Sequence, residues 1–171
     1  MTSKYTSSLL ATVLLVAPLG AAQAQKLMDR VKRDEIAHMS SEEPAMRRAF
    51  EQARAGLDSF LAKAKAPAAG TDSYALKVAI SDGQNTEYFW VVDFAGQGDQ
   101  FTGVLNNEPR LVMKHRHGEK IAFRRDQIAD WTYMDANNRR MHGNFTACAL
   151  LTKEPPAQAA EFKRQYGLRC D

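Results

Sequence analysis

"SYALKVAISDGQNTEYFWVVDF", residues 73–94, decides the fold class of this chain. In its first half Tyr74, Leu76, Val78 and Ile80 fall two apart, which puts them on one face of an extended strand. Its second half, from Thr86 on, is rich in aromatic and β-branched residues that suit a pleated, half-buried surface. Between the halves, "SDGQN" supplies turn chemistry. The stretch predicts two antiparallel strands joined as a hairpin.

Upstream the period changes. In "EPAMRRAFEQARAGLDSFLAKAKA", residues 43–66, the residues Met46, Ala49, Phe50, Ala53, Leu57, Phe60 and Leu61 recur at three- and four-residue steps, the mark of an amphipathic helix. Pro44 suits its first turn, and Pro67 with Gly70 ends it. Before it, residues 25–42 are charged and without period, and read as a flexible lead.

Downstream, "QFTGVLN" is a third short strand, broken by "NNEPR". The segment 111–125 reads as a further hairpin turning near His117 and Gly118, and "DQIADW" as a turn before "WTYMD". After the turn signal "ANN", residues 139–144 can pair back, and Thr146 can cap a short helix. Pro156 and Gly167 bracket a last helix. The expected fold is α+β, a bent antiparallel sheet of about five strands with an N-terminal amphipathic helix and short C-terminal helices.

Residues 1–24 carry a lysine, an apolar run from Leu9 to Ala17 and the small-residue exit Ala22-Gln23-Ala24, the pattern of a secretory signal peptide cleaved after Ala24. The expectation is therefore a periplasmic or secreted protein with no membrane span in its mature chain, and with one domain over residues 43–171. The whole chain carries 23 Lys and Arg against 20 Asp and Glu, a formal charge of +3. That bias is too slight to argue for nucleic acid. Cys148 and Cys170 would meet in an oxidising compartment, where such a pair is more often a disulfide than two thiols.

Several side chains invite a chemical reading, and each has a structural one beside it. His115 and His117 would share a strand face, but Lys114 and Arg116 disfavour a cation there and no zinc spacing is met, so no metal site and no cofactor are expected. Asp130 could be a desolvated acid, yet no partner carboxylate is marked, and capping a turn is the simpler role. Trp90, Trp131 and Phe145 read as core, Gly143 as a tight backbone position, and Thr146 as a cap. Arg139 beside Arg140 could hold an anion or sit on a solvated turn, and Tyr133 and His142 stand close by in sequence.

Taken in order, "EPAMRRAFEQARAGLDSF", "KVAISDGQNTEYFWV", "FTGVLNNEP", "GEKIAFRRDQIADW" and "GNFTACALL" resemble the YegJ-like family of small bacterial domains of unknown function. The resemblance covers residues 43–151, and its most specific strings are "GVLNNEP", "IADW" and "GNFT". It implies an α+β domain with a bent antiparallel sheet, and no activity, cofactor or catalytic residue comes with it. The family pattern often has an arginine after Thr146, where this chain has Ala147 and Cys148.

The sequence thus points to a non-catalytic secreted domain binding a protein or peptide partner in the cell envelope through one sheet face and its adjoining loops. Gly103, Asn106 and Asn107 at one loop, with Tyr133, Arg139 and His142, are the candidate binding residues. The alternatives are a small hydrolase built on His142 and Asp130, and an envelope protein that binds a small ligand.

Overall fold

A computed structural model describes residues 41 and 43–170. Residues 1–24, expected as a signal peptide, and almost all of residues 25–42, expected as a flexible lead, lie outside the described residues. The first element is helix α1 (Pro44–Lys65), with proline in its first turn and Lys63 and Lys65 in its last, where cations favour the helix dipole. Met46, Ala49, Ala53, Leu57 and Phe60 are its buried stripe, with Phe50 and Leu61 half-buried at the margin.

Strands β1 (Thr71–Ser81), β2 (Thr86–Gln97), β3 (Gln100–Leu105), β4 (Lys120–Arg124), β5 (Ile128–Asp135) and β6 (Arg140–Gly143) follow. They form one sheet in the order β4-β3-β2-β1-β5-β6, every neighbouring pair antiparallel. The long central strand β1 sets Leu76 against Val91 on one side and against Trp131 on the other. Register shifts at Asp72/Ala75 and Val92/Ala95 interrupt the ladders, with Ser73 and Asp93 at φ 56° and 48°. Such bulges bend a strand and raise its twist.

The sheet has six strands where about five were expected, and two segments differ from their expected form. Residues 111–119 do not form a strand: the side chain of Glu87 takes the backbone N–H groups of residues 110–112, which a strand there would have needed for pairing. Residues 128–130, expected in a turn, belong to β5, and only Arg125–Gln127 form a single 3-10 turn.

Most large apolar side chains meet in one core. It joins Leu57 and Phe60 of α1 to Leu76, Val78, Phe89, Val91, Leu105, Phe123 and Ile128 of the sheet. The Phe60 ring is central, with Trp131 5.0 Å away and Tyr74, Phe94 and Tyr133 around it. Trp131 also meets Phe145 edge-on at 5.3 Å and donates from Nε1 to the Ala53 carbonyl at 2.9 Å. A close helix approach makes this possible: a Cβ on Gly56 would stand 2.7 Å from the indole.

Two short helices close the chain, α2 (Phe145–Leu151) and α3 (Pro156–Tyr166). Thr146 is not the cap of α2. Asn144, in left-handed backbone at φ 56°, holds that position, and Thr146 is the second residue of the first turn, with its N–H bonded to Asp130. Ala147, Leu151, Ala159, Phe162 and Leu168 make a second small core. There Cys148 and Cys170 are joined by a disulfide with their Cα atoms 5.4 Å apart. No described helix is long and apolar enough to cross a membrane.

Candidate functional site, a cationic cleft beside the last strand

The β5–β6 hairpin and the tail after α3 build a cleft of about 630 Å³. Three local choices place its walls. Asp135 fixes the hairpin turn by accepting the N–H groups of Asn137 and Asn138 and the Asn138 amide, and these bonds, that of the Asn138 side chain above all, keep its carboxyl below the usual range. Arg139 then adopts left-handed backbone at φ 50°. After α3, Gly167 at φ 62° reverses the chain so closely against Arg139 that a Cβ there would fall on the Arg139 carbonyl. The Met141 N–H donates to the Gly167 carbonyl at 3.0 Å, and Leu168 bridges to Met141, so the tail runs along β6.

The consequence is electrostatic. Arg139 and Arg140 from the hairpin, Lys163 and Arg164 from α3, and Arg169 from the tail all line one cleft, with Asp135 as the single lining carboxylate among the described residues. Arg164 is paired with Glu161. The Nε of Arg140 is buried and has no hydrogen-bond partner among the described residues, which is costly unless something else supplies an acceptor. His142 lies against the same cleft, stacked face to face on Tyr133 at 4.5 Å. Burial lowers its pKa first, Arg140 and Lys63 lower it further, and Asp135 opposes them, so the imidazole is held neutral near pH 7.

The expected binding residues divide between two places. Tyr133, Arg139 and His142 meet at the cleft, with Tyr133 buried beneath His142. Asn106 and Asn107 are at the far end of β3, and both serve β2: the Trp90 carbonyl accepts the Asn106 N–H, and the Trp90 N–H donates to Asn107 Oδ1, both at 2.8 Å. Gly103 is a buried strand residue, where a Cβ would run into Val91 and Phe94. Gly143, at φ 73°, lets the end of β6 pass over Trp131, whose carbonyl a Cβ would strike. Phe145 and Trp90 pack as half-buried aromatic groups, the latter 5.0 Å beneath the Lys77 ammonium.

His115 and His117 do not share a strand face. They lie in the loop after β3, where His115 Nδ1 is 3.1 Å from Glu119 and His117 is exposed. Among the described residues no group of three metal-ligating side chains is found. Asp130 does not cap its own turn: it is fully buried, and its carboxylate accepts from the Trp131 N–H and from both the N–H and hydroxyl of Thr146. Three residues apart on β5, Asp130 and Tyr133 point to opposite faces, so Asp130 is not brought to His142, which stacks on Tyr133.

Residues 43–170 match the family described as uncharacterized proteins conserved in bacteria (DUF2314). The chain belongs to the DUF2314 family. It is 30% identical over 119 residues to the uncharacterized protein YegJ of Escherichia coli K12, covering 70% of this chain and 75% of that one. A putative ankyrin repeat protein of Neisseria meningitidis serogroup B is 30% identical over 87 residues, 51% of this chain and 34% of the relative, so the match spans about a third of that protein. No solved structure matches.

For this DUF2314 domain, sequence reasoning did not single out Lys163, Arg164, Arg169 or Glu87. The first three were visible as the cations spaced through "KRQYGLRC", but only the return of the tail to β6 turns them toward Arg139 and Arg140.

Proposed function

We propose that this chain is a non-catalytic extracytoplasmic domain that binds an acidic segment of a protein or peptide partner in the cleft beside β6. The observation that carries the reading is the convergence of Arg139, Arg140, Lys163, Arg164 and Arg169 on one cleft. A carboxylate accepts a guanidinium in two parallel hydrogen bonds, and this is the pairing a half-buried arginine is suited to. His142, stacked and held neutral, adds a flat donor rather than a base poised on a nucleophile. The hydrolase alternative needs Asp130 beside His142, and the Asp130 carboxylate is spent inside the fold on Thr146 and Trp131. The signal-peptide pattern of residues 1–24 and the Cys148–Cys170 bond support a periplasmic or secreted location.

The test is titration of the purified protein with a fluorescent peptide rich in glutamate and aspartate, against its glutamine and asparagine counterpart. Preference for the acidic peptide, weakened about tenfold or more by Arg140→Ala with unchanged melting temperature, is expected. Equal affinity for both peptides, or an Arg140→Ala protein that binds as well as the parent, would end this reading.

A further inference from the structure

A second surface stands apart from the cleft, and none of its residues lines it. The loop over residues 106–119, between β3 and β4, is held by one buried carboxylate. Glu87 on β2, 5% exposed, accepts the Arg110 N–H at 2.9 and 3.1 Å and those of Leu111 and Val112 at 3.0 Å. A carboxylate collecting successive backbone N–H groups fixes the course of the chain there. The Val112 side chain is thereby driven fully into the core. Its two neighbours are turned outward: Leu111 is 47% exposed and Met113 71%, and these are the exposed large hydrophobics among the described residues.

The exposed charged residues near the apolar pair are mostly cationic. Arg110, Lys114, Arg116 and Lys120 are exposed around it, and Lys114 is tied back to the Ser81 carbonyl at 3.0 Å. Of three acids nearby, Glu108 is exposed, Glu119 is occupied by His115 and by the Arg116 N–H, and Asp82 is held by the N–H groups of Gln84 and Asn85 within electrostatic reach of Lys114. Two apolar tips projecting from a cationic rim on a rigid loop offer a protein partner no pocket to fill. They do match a fluid anionic interface, which accepts apolar side chains anywhere along its boundary and attracts each cation through its surface potential. We propose that this loop docks the domain peripherally on the surface of an anionic lipid bilayer, with Leu111 and Met113 entering the headgroup boundary and Arg110, Lys114 and Arg116 lying among the lipid headgroups.

The test is cosedimentation of the mature protein with vesicles of phosphatidylcholine alone and of phosphatidylcholine mixed with phosphatidylglycerol. Binding to the mixed vesicles that falls as salt is raised is expected, with little on phosphatidylcholine. The Leu111→Ser/Met113→Ser pair, both exposed and so expected to leave the melting temperature unchanged, should weaken that binding about tenfold or more. Arg140→Ala, in the cleft, should leave vesicle binding intact, which separates this surface from the peptide site. No binding at low salt, binding unaffected by the double substitution, or a protein partner captured through this loop with no vesicle affinity would each overturn the proposal.

Discussion

Lys77 on β1 and Asp130 on β5 stand opposite each other in register, and a single hydroxyl joins them. The Lys77 ammonium donates to Thr146 Oγ1 at 3.1 Å, and that hydroxyl donates to Asp130 Oδ2 at 2.7 Å. All three side chains are buried, and burial is the largest cause raising the Asp130 pKa, against the pull of Lys77 and its hydrogen bonds. The network ties the centre of the sheet to the first turn of α2.

Asp130→Ala removes the acceptor for the Thr146 N–H and hydroxyl and leaves a buried ammonium behind. Breaking one partner of such a pair costs about 3–5 kcal/mol. Thr146→Val should cost about 1–3 kcal/mol, and the double variant less than the sum, because the two share one network. Urea unfolding of the four proteins measures the coupling; strict additivity would show the hydroxyl link to be idle.

Trp131→Ala should be among the most damaging single changes, at about 3–5 kcal/mol, since the indole packs on Phe60, Phe145 and Gly56. Trp131→Phe keeps most of the ring contact but loses the bond to the Ala53 carbonyl, a loss of about 1 kcal/mol. Thermal melts rank the two, and equal melting temperatures for both would contradict this account.

Reducing the Cys148–Cys170 bond opens a link of sequence separation 22, which in the chain-entropy view stabilises by about 3 kcal/mol. The tail residues Gly167, Leu168 and Arg169 form one wall of the cleft. Reduction should therefore lower acidic-peptide affinity while the sheet keeps its circular-dichroism signal. Full affinity after complete reduction would show that β6 pairing alone holds the wall.

The pH dependence follows from His142. Its pKa in the folded chain is below the ordinary 6.5, so as pH falls the unfolded chain takes up the proton first. This contribution to stability is whole above about 6.5 and declines as pH drops through that value toward the folded pKa. A bound anion favours the protonated ring, so acidic-peptide affinity should rise over the same range, and His142→Asn should flatten that rise. Calorimetric titration at several pH values measures it; a parent protein whose affinity is flat with pH would exclude His142 from binding.

Much of the fold was legible because it depends on near neighbours in sequence. The alternation of Leu76, Val78 and Ile80 and the three- and four-residue steps from Met46 to Phe60 are written locally, and they became β1 and α1. The loop after β3 was not legible, because Glu87 binds N–H groups that 23–25 residues further on carry no side-chain signature. Arg139 and His142 stood out in their own stretch, but Lys163 and Arg169 reach the same cleft only through the Met141–Gly167 bond, which no spacing announces.

Cys170 follows α3, and so follows every strand of the sheet in the order of synthesis. A chain emerging amino-terminus first can assemble β1 to β6 while Cys148 is still an unmated thiol. A chain lacking residue 170 would thus carry every strand of the sheet and an unmated Cys148 thiol.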